Sequence, residues 1–218
     1  MIRVYAVCQG ISPILMNRMT DETLDSLITG VRKPVQKDRP FEEVAEEKIY
    51  RDEQGNTGVP SENLFACLAE AGRSVKLGKK QISTASSTIL PSFLSIEELF
   101  LPFIDDPEWV VDKRRGQSTN GANKVAVGII RPKFLDWKFG VTLEIDESEA
   151  SPDTVRELLA KAGKSIGLGD FRPAKKGPFG RFEVASWKVL DGDEAATATS
   201  SNGQGSKEAA KEVLAATA

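Results

Sequence analysis

The residues best suited to chemistry lie in one stretch, Gly167-Leu-Gly-Asp-Phe-Arg-Pro-Ala-Lys-Lys-Gly-Pro-Phe-Gly-Arg181. It holds four glycines (Gly167, Gly169, Gly177, Gly180), four cations (Arg172, Lys175, Lys176, Arg181) and the rings Phe171 and Phe179, with Phe182 just beyond. Glycine permits close backbone approach and positive φ. Backbone amides beside Lys and Arg suit phosphate oxygens. Phenyl rings stack on bases, at ~1–3 kcal/mol per base. The combination predicts a nucleic-acid contact. No Gly-Lys-Ser/Thr follows, so this is not a nucleotide P-loop, and no helix follows, so it is not a dinucleotide fingerprint. Lys176-Gly-Pro-Phe-Gly-Arg-Phe182 loosely echoes the Lys-Gly-Phe-Gly-Phe element of RNA-recognition sheets, with an inserted proline. The plainer alternative is a tight connector with solvated charges and Phe182 in the core.

Three further groups of cations stand out. Lys113, Arg114 and Arg115 are adjacent and fall at the expected tip of a hairpin, where they could grip a phosphate backbone or a neighbouring acidic surface. Arg73, Lys76, Lys79 and Lys80 sit at the exit of a predicted helix, a placement that also suits the helix dipole. Arg32, Lys33, Lys37 and Arg39 occupy a polar, proline-bounded loop.

Other chemistry is narrowed by composition. The chain has no histidine, which removes Ser-His-Asp and Cys-His nucleophilic catalysis and imidazole metal sites. Two cysteines, Cys8 and Cys67, are too few for a thiolate zinc site within one chain. They fall on a strand and a helix that should pack together, and read as small buried apolar residues. Carboxylates cluster at Glu42-Glu43, Glu46-Glu47, Asp52-Glu53 and Asp105-Asp106 with Glu108, but their spacing does not force the convergence a divalent ion needs. No catalytic residue, cofactor or metal is predicted.

The elements that must position these residues follow from periodicity. Residues 2–8 alternate as a first strand, and 137–145 alternate cleanly as another. Residues 21–29 and 41–50 read as short helices. Ser61 should cap a helix whose apolar face (Leu64, Phe65, Leu68, Ala71, Gly72, Val75) runs through residue 76. Residues 82–103 are β-rich, best at 88–94 and 99–103. Residues 109–112 and 124–130 flank a long basic hairpin tip. Ser151 and Pro152 start a helix that Gly163 should end. Residues 181–190 form the last strand, and the Ala/Thr/Ser/Gly-rich 191–218 read as a flexible tail.

Without the insertions the order is βαββαβ, an α+β, ferredoxin-like antiparallel sheet with helices on one face. Its other face or its edges remain available, which is how RNA-recognition sheets meet single strands. The 218 residues suffice for one core over 1–190, with a hairpin insertion at about 105–130. Net charge is −3, yet 191–218 carries five acids and two lysines, leaving 27 basic and 27 acidic side chains elsewhere. A neutral body can hold a local basic groove. Two cysteines, no secretory segment and no apolar run of ~20 residues predict a cytoplasmic protein with no membrane partner.

These pieces resemble the RAMP superfamily (repeat-associated mysterious proteins), which builds the ribonucleoprotein backbones of CRISPR effector complexes. The first strand running into Gln9-Gly-Ile-Ser-Pro-Ile-Leu-Met16 resembles the family's opening. Val59-Pro60 and Leu64 match its helix start, although its Gly-Ser step is missing. The 167–182 stretch is similar to its glycine-rich loop, and the basic hairpin to its thumb. The sequence also looks like phage and prophage proteins that share the Gly-Leu-Gly-Asp-Phe-Arg-Pro and Gly-Arg-Phe segments. The resemblance implies a protein that binds single-stranded RNA or DNA and self-associates along it as a filament, with other effector subunits as possible partners. It supplies no cleaving aspartate. Two competing readings are a phage assembly protein that oligomerises without nucleic acid, and a metal-dependent nuclease using Asp105 to Glu108 or Asp21 and Asp25.

Overall fold

The computed structural model describes residues 1–31, 38–120 and 123–190, without the side chains of 118–120 and 123–124. Arg32, Lys33 and Lys37 of the basic loop, Gly121 of the hairpin and the 191–218 segment lie outside the described residues. In chain order the elements are β1 (Ile2–Gly10), β2 (Ile14–Leu15), α1 (Asp21–Thr29), α2 (Phe41–Glu46), β3 (Gly58–Pro60), α3 (Ser61–Ala71), β4 (Lys76–Leu77) and β5 (Lys80–Gln81). There follow β6 (Leu94–Ile96), β7 (Phe100–Pro102), β8 (Trp109–Asn120), β9 (Asn123–Phe134), β10 (Lys138–Ile145), α4 (Pro152–Lys161) and β11 (Phe182–Leu190).

The main sheet has the order β11-β1-β10-β6, every pairing antiparallel. With α3 and α4 as the crossovers this is the ferredoxin-like βαββαβ topology. Alternation on β1 explains it. Val4, Ala6 and Cys8 lie opposite Leu143, Val141 and Phe139. They share one core with Leu64, Cys67 and Leu68 of α3 and Val155, Leu158 and Leu159 of α4. Each fully buried aliphatic side chain there contributes roughly 1.5–3 kcal/mol.

The second face of the sheet differs from expectation. Tyr5 and Val7 point there, and both are buried in a small cluster with Ile104. The segment after β7 folds across the sheet, Ile104 N–H donating to Lys138 O at 2.9 Å. A face closed by its own chain offers no open platform for bases at Val7.

Three element boundaries also differ. Ser61 is the first residue of α3 rather than its cap, and its hydroxyl donates to Leu99 O at 3.0 Å. The helix stops at Ala71, and Lys76, Lys79 and Lys80 lie on the β4–β5 hairpin instead of the helix exit. Val75 continued the helical spacing because it is buried, but a turn delivers it to the core. In place of a strand over 88–94, a 3-10 turn at Leu90–Ser92 leads into β6. Beyond α4 the chain continues as a π-turn through Ala162–Ile166. Gly163 does not stop the helix; it lets the helix approach Phe182, whose carbonyl oxygen would lie 2.1 Å from an added Cβ.

A second sheet, β2-β9-β8, joins the first through an aromatic cluster. Trp137 lies 5.9 Å from Phe103 and 6.2 Å from Phe182 by ring centroids, and its indole donates to Ser12 O at 2.8 Å. No helix among the described residues is long and apolar enough to cross a membrane.

Candidate nucleic-acid interface

The glycine-rich bend is tied down along both arms. Leu168 N–H donates to Gly180 O at 2.8 Å, Gly180 N–H to Pro13 O at 2.8 Å and Asp170 N–H to Leu15 O at 2.7 Å. At its tip a single 3-10 turn, Pro173–Lys175, is closed by Lys175, Lys176 and Gly177 amides donating back to Arg172 and Pro173. Phe171 (φ 48) and Lys176 (φ 62) are held in the left-handed region. Side chains there are uncommon, and such strain gathers at functional sites. Gly177 is obligatory, since an added Cβ would sit 1.7 Å from Phe171 O.

The four cations of the bend divide into two pairs. Arg172 donates to Gly169 O at 3.1 Å and Arg181 Nε to Lys164 O at 3.2 Å, so both are anchored to main-chain oxygens. Lys175 and Lys176 are exposed, and no ion pair engages them among the described residues. The rings divide as well. Phe171 is 36 % exposed, whereas Phe179, expected to meet bases, is 8 % exposed with its neighbour ring 6.1 Å away. The Arg114 guanidinium lies 4.6 Å over the Phe179 ring.

That contact comes from the long hairpin. Lys113, Arg114 and Arg115 stand opposite Ile130, Ile129 and Gly128, in the middle of the β8–β9 stem and not at its tip. Solvated charges look alike in a strand and in a loop, so their types did not reveal the pairing. Lys113 Nζ lies 4.1 Å over the Phe41 ring, and Arg114 Nε bonds both Asp112 oxygens at 2.9 Å. Arg115 is exposed.

Beneath them is a buried charge network absent from the sequence reading. Arg131, 3 % exposed, bonds Asp170 of the bend at 2.7 Å and Asp112 of β8 at 3.3 Å. Its Nε has no hydrogen-bond partner. Lys48 donates to Ile130 O beside it, and burial, then the charge of Arg131, pulls the Lys48 pKa down. The available signal was Arg131 itself, one charge between Ile129-Ile130 and Pro132. A charge inside an apolar strand needs partners.

Between α3 and the bend lies a cavity of about 230 Å³, lined by Asn17, Tyr50, Asn63, Asp170 and Arg172 among others. Cys67 Sγ donates to the carbonyl oxygen of Gly167, one of the lining residues, at 3.3 Å. Both thiols are buried; burial pushes Cys67 up to about 12 and raises Cys8 further. Arg73, Lys76, Lys79 and Lys80 are exposed, and no side-chain hydrogen bond or ion pair joins them to the bend among the described residues. Of the carboxylates considered for metal, Asp105 pairs with Lys138 and Asp21 with Arg18. Among the described residues no group of three His, Cys, Asp or Glu could hold a metal ion.

No family model matches the chain, and no curated protein matches it. It is similar to a chain of the cryo-EM structure of the Type III-B Cmr-beta bound to cognate target RNA, at 13% identity and a TM-score of 0.49. The similarity covers 87% of this chain and 61% of that one, so this chain spans less than two thirds of its length.

Proposed function

We propose that the chain binds single-stranded nucleic acid across the tip of the glycine-rich bend, and that copies repeat along the strand. The observation that carries this is the strained tip that displays Lys175 and Lys176 without an ion-pair partner among the described residues. Phosphates meet these two lysines, while Phe171 supplies the exposed ring for a base. Arg172 and Arg181 hold the bend and lend it positive potential. Phe179 acts from within, as the seat for Arg114. Arg115, exposed on the stem, extends the cationic surface. The polar cavity beside Arg172, about 230 Å³, offers room for a single base and not for a whole nucleotide.

The test is direct. Protein purified at low salt should carry nucleic acid, seen as a raised 260/280 absorbance ratio that falls after treatment with one nuclease and not the other. Anisotropy titrations with labelled single-stranded RNA and DNA should then show log affinity falling linearly with log salt, by about 0.7 per phosphate neutralised. Absence of copurifying nucleic acid together with no salt-dependent binding would overturn the proposal.

A further inference from the structure

Among the described residues, two surfaces of this chain are left open. The first is α1. Leu24, Leu27, Ile28 and, beyond its end, Val31 fall at i, i+3, i+4 and i+7, the spacing of a core-facing stripe. Yet α1 has no buried residue, with Leu27 67% and Ile28 82% exposed. Asp25 and Asp21, the latter paired with Arg18, border that stripe, and the helix itself carries no cation.

The second surface is the hairpin face that bears Lys113 and Arg115. Directly opposed residues of paired strands share a face, so Ile130, Gly128 and Ala126 join Lys113, Arg115 and Gln117 there. Phe41, Lys113, Arg115, Ala126, Gly128 and Ile130 line an apolar groove of about 500 Å³. A Cβ added at Gly128 would meet nothing within 4 Å, so the floor is open. Lys113 and Arg115 form its cationic rim. Five strand residues span about 14 Å, which matches a nine-residue helix at about 1.5 Å per residue.

We propose that the groove receives α1 of a second copy of this chain. Leu24, Leu27 and Ile28 cover Gly128 and Ile130, and Asp21 and Asp25 meet Lys113 and Arg115. This is helix-in-groove recognition, read by anchors at i, i+3 and i+4. The two surfaces differ, so the contact is head-to-tail and each bound copy presents a fresh groove. It does not rest on strand binding and is measured on nuclease-treated protein.

Light scattering on size-exclusion fractions should show concentration-dependent self-association of the wild type. Ile28→Glu changes an exposed residue, and Gly128→Val fills the groove with a strand-compatible side chain. Each should weaken association at least tenfold and leave the circular dichroism spectrum unchanged. Charge exchange is the sharper arm. A chain with Asp21→Lys and Asp25→Lys, and a chain with Lys113→Glu and Arg115→Glu, should each be monomeric alone and associate when mixed. A wild type that stays monomeric at all concentrations overturns the proposal, as α1 folding into its own groove would do. So does unchanged association of the variants, or mixing that restores nothing.

Discussion

The Arg114 guanidinium rests 4.6 Å over the Phe179 ring, fastening the hairpin stem to the glycine-rich bend. The two cationic segments are therefore one surface, joined by this side-chain contact as well as by the pairing of β2 with β9 at the base of the hairpin. Phe179→Leu keeps most of the apolar volume and removes the ring quadrupole, a change of about 1–2 kcal/mol. Hydrogen exchange should show faster exchange at the amides of 110–114, with β1 and β10 protection falling only by the global loss. Equal loss everywhere would show that the ring is core filling alone.

The Asp112–Arg131–Asp170 network fastens the same two segments from inside. Arg131→Met takes the buried partner from the Asp112 carboxylate, 5 % exposed, and leaves it paired with the exposed Arg114 alone. Leaving a buried charge with no partner costs about 3–5 kcal/mol, and Arg114 on Asp112 holds the loss to the lower end of that range or below. Urea unfolding should report that loss for Arg131→Met and a smaller one for Arg131→Met with Asp112→Asn. The difference measures the Asp112 charge once Arg131 is gone and Arg114 remains.

Glu98 should give the fold a pH-dependent weakness. Its carboxylate accepts Thr142 N–H at 2.9 Å and the Thr142 hydroxyl at 2.6 Å, and burial raises its pKa. An acid with a raised native pKa binds its proton more tightly when folded. Its destabilising effect is absent below the unfolded value of about 4.3, grows as pH rises toward the native pKa, and is complete above it. Glu98→Gln keeps the acceptor oxygen without the charge. It should be more stable than wild type at neutral pH, with the gap closing as pH falls through that window.

Cys8 and Cys67 should be inert in the native protein. Both are buried and burial raises their pKa values, so the thiolate that reacts is scarce. A chromogenic disulfide reagent should find no rapid thiol in native protein and both in denaturant.

Much of the main sheet was legible because β1, β10 and β11 are built on alternation, and Ser151-Pro152 announces α4 in its own chemistry. The β4–β5 turn was not, since Val75 satisfies a helical spacing while sitting in a turn. Nor was the stem position of Lys113 to Arg115, because exposure, not pairing, governs where charges are tolerated. The bend was visible as a stretch of glycines and cations. Which cations stay free was decided by contacts no local pattern encodes: Lys164 O for Arg181, Gly169 O for Arg172, Arg114 for Phe179. Asp112, Arg131 and Asp170 come from three separate segments, so their meeting is a property of the fold alone.

The most direct measurement is an anisotropy titration of Lys175→Glu with Lys176→Glu against wild type over a range of salt. Both side chains are exposed and make no ion pair among the described residues, so the unfolding midpoint should not move. Binding should be abolished at moderate salt, and any residual slope at low salt should be smaller by about 1.4, for two lost phosphate contacts. Wild-type affinity and slope in the doubly reversed protein would contradict strand binding at the bend.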